Sequence, residues 1–130
     1  MVTTQGIEDP QGLQTPFRQR SLAERQEKLG RLLSKNPEKV PIIFERHPLS
    51  KLDPSCRDVK FLSTKNLKLA EFTKQLREMW MIEADKSLFF SCNGKAMLNP
   101  DLLVGDIYDK FRENDGYLYI RYREVESFGN

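Results

Sequence analysis

The sequence predicts an α+β fold, and three observations carry the prediction. Residues 117–125 alternate strictly, with Leu118, Ile120 and Tyr122 on one side and Tyr119, Arg121 and Arg123 on the other, the period-two pattern of a strand. Leu69, Phe72, Leu76, Met79 and Trp80 recur at the spacing of one face of an amphipathic helix. Stretches of both kinds then follow one another as helix, helix, strand, strand, helix, strand, strand, helix, strand. The final strand is expected to be central, because long aromatic and β-branched alternation needs neighbours on both sides.

Taken in order, residues 1–15 hold two Gly, one Pro and three Gln without periodicity and are expected to be a flexible arm. Residues 16–36 form a helical extension. Pro16 to Arg20 make one short turn, and Ser21 with Glu24 has the spacing of a capping box. Leu22, Leu29, Leu32 and Leu33 give the next helix an apolar stripe. Its other face carries Arg25, Lys28, Arg31 and Lys35 among Glu24 and Glu27, a solvated face or a basic contact surface. Asn36-Pro37 ends the helix, because the residue before Pro leaves the α region.

The core is expected over residues 37–125. Its first strand is Val40–Arg46, with Pro41 near the start where no ladder donor is needed. A loop from His47-Pro48 to Asp53-Pro54 leads to Val59–Ser63, short and charged as an edge strand should be. Such an edge has free backbone N–H and C=O groups and can accept an extended peptide. Leu88–Cys92 is the third strand, Asn93-Gly94 a two-residue hairpin turn, and Lys95–Met97 the fourth strand. Asn99-Pro100-Asp101 is expected to cap a last helix carrying Leu103, Ile107 and Phe111. Asn114-Asp115-Gly116 is a stop signal before the final strand. With the first two helices set aside, the order ββαββ, helix, strand is that of a β-grasp fold.

Length and composition bound the function. With 130 residues the chain has room for one domain. A net charge of +2 is too small for bulk nucleic-acid binding. No apolar run approaches the roughly 20 residues of a membrane-spanning helix, and the N-terminus has no apolar signal block. Cys56 and Cys92 lack metal-ligand spacing, and the one His, His47, precedes Pro and is expected in a solvent-facing loop. No metal set, cofactor site or nucleophile–base pair is expected, and two thiols without a secretory signal suit a reducing cytosol. The tail past Val125 carries a near-terminal Gly, either a frayed end or the exposed Gly of a ubiquitin-like modifier.

Seven stretches in register give a resemblance. They are Pro16-Phe17-Arg18-Gln19-Arg20-Ser21, residues 37–46 (PEKVPIIFER), Lys60-Phe61-Leu62, Leu88-Phe89-Phe90, Asp106-Ile107-Tyr108, Asp115-Gly116-Tyr117-Leu118-Tyr119, and Phe128-Gly129. Together they resemble the autophagy ubiquitin-like modifiers, the family of the microtubule-associated-protein light chains and the GABA-receptor-associated protein, with the N-terminal piece nearer the light-chain branch. The resemblance implies a ubiquitin-like β-grasp with two additional N-terminal helices. It implies no enzyme, but a monomeric, cytoplasmic modifier. A cysteine protease would remove Asn130, and activating and conjugating enzymes would then join Gly129 to phosphatidylethanolamine on autophagosomal membranes. It also implies adaptors carrying a W/F/Y-x-x-L/I/V motif. Their aromatic residue would meet Lys28, Leu32, Pro41, Ile43, Lys60, Leu62 and Tyr117, and their aliphatic residue Phe61, Leu67, Phe72 and Leu76. Lys39, Lys60 and Arg77 would meet acidic flanks, for an affinity of about −8 kcal/mol, the micromolar range.

Five positions depart from the family pattern. Lys28 stands where an acidic acceptor for a motif Trp is usual, so Phe or Tyr is expected to be favoured over Trp. Ser63-Thr64 replaces Val-Pro, and Gln75 and Met79 replace an apolar and a basic residue. These bear on motif preference rather than fold.

Overall fold

A computed structural model describes residues 17–54, 56–92 and 96–126. The expected arm, the Asn93-Gly94 turn and the tail with Gly129 and Asn130 lie outside the described residues. A single 3₁₀ turn (Phe17–Gln19) leads into α1 (Leu22–Lys35). There follow β1 (Val40–Arg46), β2 (Val59–Ser63), α2 (Ala70–Trp80), β3 (Lys86–Cys92), β4 (Ala96–Met97), α3 (Val104–Phe111) and β5 (Leu118–Glu126).

The strands form one sheet in the order β2-β1-β5-β3-β4. β5 pairs parallel with β1, Ile42 facing Leu118, and antiparallel with β3, Lys86 facing Glu126. The last strand is therefore central and β2 is an edge, both as expected. β3 begins two residues before the expected Leu88, and β5 runs one residue past Val125.

Strand alternation divides the side chains between two layers. One face carries Val40, Ile42, Phe44, Val59, Phe61, Phe90, Leu118, Ile120 and Tyr122, against which α2 sets Phe72 and Leu76 and α3 sets Val104 and Ile107. Phe44 is its hub, with ring centroids of Phe61, Phe72 and Phe90 at 5.8, 5.0 and 5.7 Å. Trp80 closes the layer by stacking on Tyr122 at 5.3 Å. The other face holds a smaller cluster of Phe17, Ile43, Tyr117 and Tyr119, with Leu29 of α1 leaning on it.

The N-terminal extension sits on that second face. Ser21 caps α1 by accepting the Glu24 N–H at 3.1 Å, one half of the expected capping box, while the Glu24 carboxylate lies 3.6 Å from Arg20. Of the expected apolar stripe, Leu29, Leu32 and Leu33 are half-buried and Leu22 is not. No residue of α1 is buried, and Leu22 is 47% exposed, because only the Leu29 side reaches the sheet. Ion pairs do much of the fastening. The Arg18 guanidinium donates to Glu45 at 2.7 Å and in bidentate fashion to Glu113 at 2.6 Å, while Arg25 donates to Asp115 at 2.6 Å. Gly116 has φ +89°, the left-handed region, and a Cβ there would stand 2.3 Å from Leu29. The Asp-Gly signal thus serves the turn and the approach of α1 together.

The expected cap at residues 99–101 also needs correction. Asn99 accepts the Asp101 N–H at 2.8 Å, an Asx turn rather than a helix cap, and α3 begins after Leu103. The intervening carbonyls are engaged elsewhere: Pro100 and Leu102 accept the N–H groups of Ala70 and Leu69 at 2.9 Å. That lacing fixes the start of α2 against the start of α3.

Candidate functional site

β2 pairs with β1 along one edge and with no other described strand along its outer edge. Its side chains are all buried, including Lys60 at 2% exposure, so the strand has both faces covered while its outer backbone edge pairs with no described strand. Alternation sends Val59 and Phe61 into the large aromatic layer, and Lys60 and Leu62 to the other face, opposite Ile43 and Pro41 of β1. Lys60 Nζ lies 5.4 Å over the Phe17 ring, which packs edge-on against Tyr117 at 5.0 Å. A partly desolvated ammonium over an aromatic face is a favourable contact.

The two residue sets expected at the peptide anchors therefore fall on opposite faces of one strand. Pro41, Ile43, Lys60, Leu62 and Tyr117 lie on the Phe17 face, and Lys28 and Leu32 lie half-buried on α1. Phe61, Phe72 and Leu76 are buried in the large layer, with Leu67 partly buried against it. Successive residues of an extended peptide also alternate, so positions i and i+3 point to opposite faces. A strand laid along β2 would thus direct its two anchors to the two sets.

The basic positions differ in what holds them. Lys39 is half-buried before β1. The Arg77 guanidinium donates to the Glu83 carbonyl at 3.1 Å and to the Lys86 carbonyl, closing the turn between α2 and β3. His47, expected to face solvent, is half-buried; its Nδ1 accepts the Leu49 N–H at 3.0 Å, and burial followed by Arg123 and Arg121 lowers its pKa. Burial pushes the Cys92 thiol up to about 12, so it is no thiolate near neutral pH.

The sequence pattern did not single out Phe17 as the floor between Lys60 and Tyr117. Nor did it find the cleft of about 520 Å³ lined by Arg18, Leu22, Arg25, Glu113, Asn114 and Asp115. Its charges come from residues far apart in the chain, and only the Arg-rich start of the extension hinted at them.

The family model described as "Autophagy protein Atg8 ubiquitin like" matches residues 24–129. The chain belongs to the Atg8 family. Among its relatives, human microtubule-associated protein 1 light chain 3 gamma is 31% identical over 115 residues, covering 88% of this chain and 78% of that protein. Protein lgg-2 of Caenorhabditis elegans is 27% identical over 119 residues, covering 91% and 92%. The crystal structure of Trypanosoma brucei ATG8 superposes with a TM-score of 0.75 at 28% identity, covering 87% of this chain and 96% of that one. The expected family and its ubiquitin-like fold are both shown. As an Atg8-family protein, the chain is an autophagy ubiquitin-like protein.

Proposed function

We propose that this chain is a conjugated modifier rather than an enzyme, processed at Gly129 and joined to phosphatidylethanolamine. The observation that carries the reading is that the Atg8 family match runs through residue 129 and so includes Gly129. Hydrolysis after Gly129 releases Asn130 and leaves a Gly carboxylate. Adenylation makes that carboxylate an acyl donor, a cysteine of the activating and then the conjugating enzyme takes it as a thioester, and the lipid amine displaces the thiol to form an amide. Gly has no side chain to crowd these steps. Two acyl chains give about 0.8 kcal/mol per buried CH₂, which makes anchoring stable where one chain is marginal. The protein then passes from the cytoplasm to autophagosomal membranes.

There it recruits adaptors through a W/F/Y-x-x-L/I/V motif laid along β2. The division of the two anchor sets between opposite faces of that strand supports this part of the reading. Ile43, Tyr117, Phe72 and Leu76 are fully buried within this chain, so docking requires these side chains to give way. An unconjugated interaction domain would use the same edge and leave Gly129 idle. Fractionation of cells expressing wild type, Gly129→Ala and a chain ending at Gly129 separates the two. Wild type and the shortened chain should reach membranes and Gly129→Ala should stay soluble; a Gly129→Ala protein bound to the wild-type extent would favour the unconjugated domain.

A further inference from the structure

The end of the sheet at which β5 finishes carries two conspicuous apolar side chains. Met81 is 87% exposed and Leu49 is 64% exposed. Met81 follows α2 at φ +51°, a left-handed position where Gly or Asn is the usual occupant. From there the chain passes through Glu83 to Lys86, which faces Glu126 at the last described residue of β5. Leu49 flanks the same strand end from the β1 side. His47 N–H donates to the Tyr122 carbonyl at 2.9 Å, and Glu124 accepts the Ser50 hydroxyl at 2.8 Å and the Lys51 N–H at 2.6 Å. Arg46 braces this loop from within, donating to the Asp53 and Cys56 carbonyls at 2.7 Å. Leu49 and Met81 are thus displayed on fastened backbone on either side of the tail's root.

Single exposed apolar residues are common on protein surfaces. What distinguishes these two is the shortness of the tether. Extended chain spans at most about 3.6 Å per residue, so a lipid on Gly129 holds the end of β5 within about 11 Å of the bilayer. The nearby charges nearly cancel, Lys51, Lys86 and Arg123 against Glu83, Asp85 and Glu124, with Lys86 3.3 Å from Glu83. Such a surface suits a neutral headgroup layer better than a strongly anionic one.

Resting on the conjugation reading, we infer that this pole is a membrane-contact surface, with Leu49 and Met81 entering the headgroup layer of the bilayer that holds the lipid on Gly129. The contact fixes how the protein stands on the membrane and leaves the β2 edge free for a peptide.

The test bypasses the conjugating enzymes. Full-length protein carrying Asn130→Cys is coupled to a maleimide lipid in phosphatidylcholine vesicles; Cys56 and Cys92 are buried and do not compete. Trp80, the single Trp and the neighbour of Met81, reports proximity through quenching by brominated phosphatidylcholine. Quenching should be about twofold stronger for the parent surface than for Leu49→Ser/Met81→Ser, because apolar side chains in contact with the interface sit about 5–10 Å deep. It should be unchanged by Met97→Ser, a matched exposed Met (67%) toward the other end of β3, and by high salt. Equal quenching in the double variant, or its collapse in high salt, would overturn the inference and leave conjugation untouched. A soluble wild type in the cell fractionation would instead remove the conjugation on which the inference rests.

Discussion

The two faces of the sheet are built by different means. The face under α2 and α3 is an aromatic layer centred on Phe44, where shape and apolar area do the holding. The face under α1 has one plug, Phe17, and a ring of ion pairs, with no buried residue in the helix that covers it. Packing of the first kind is lost only when the domain unfolds. Fastening of the second kind can open locally, because its contacts are few and lie near solvent. The same chain therefore has a stable core and a separable cover.

The largest expected effect lies on the aromatic face. Phe44→Ala should cost about 3–5 kcal/mol, since its cavity is walled by three other rings that cannot all close in. Urea unfolding measures it, and a loss below about 1 kcal/mol would end the claim that this layer carries the stability.

Phe17→Ala should cost less, about 2 kcal/mol, although Phe17 is equally buried, because the extension can leave while the sheet stays folded. Native-state amide exchange distinguishes the cases. Amides of α1 should open before those of β1 and β5 in the variant; simultaneous opening would merge the two faces into one cooperative unit.

The smallest effect is electrostatic and has opposite signs at two carboxylates. Burial raises the Glu45 pKa above 4.5 despite its bond to Arg18. The folded state thus binds a proton more readily than the unfolded chain, so this group's contribution to stability declines as pH rises from 4.5 through the folded value. Burial also pushes Glu124 upward, but the N–H groups of Glu124 and Lys51 and the Ser50 hydroxyl outweigh it and leave the pKa below 4.5. Its contribution is present above 4.5 and is lost as pH falls through the folded value. Glu45→Gln and Glu124→Gln should therefore shift the pH profile of stability in opposite directions, each by less than about 1 kcal/mol. Parallel shifts would show that burial does not dominate at Glu45.

The aromatic face was the legible one. Leu118, Ile120 and Tyr122 alternate, Phe72 and Leu76 fall on one helical stripe, and Asp115-Gly116 marks the turn, each a pattern contained within a few residues. The cover was less legible, because periodicity tells which side of α1 is apolar but not how much of it meets the sheet. Leu22 belongs to the stripe and stands in solvent; Lys60 is a cation in a charged-looking edge strand and lies buried under Phe17. The pairs of Arg18 with Glu113 and Arg25 with Asp115 join the two ends of the chain, and no local pattern announces them. The start of α3 was misplaced for the same reason. The carbonyls of Pro100 and Leu102 are taken by α2, a tertiary demand that overrides the capping signal at Asn99. At the anchor sites, alternation could assign faces but not reveal that the positions would be closed by neighbouring side chains.

The parallel pairing of β1 with β5 has a consequence for birth of the protein on the ribosome. β1 emerges early, yet its parallel neighbour in the finished sheet is the last of the described elements to be made. Until then the nascent chain has β1 and β2 as a hairpin with an unsatisfied inner edge, and Ile42, Phe44 and Phe61 have only part of their layer. Long-range closure of this kind makes folding slow relative to helical domains and leaves sticky surface in the interval. A truncated product lacking β5 should therefore be a substrate for chaperones and proteases rather than a partly working protein.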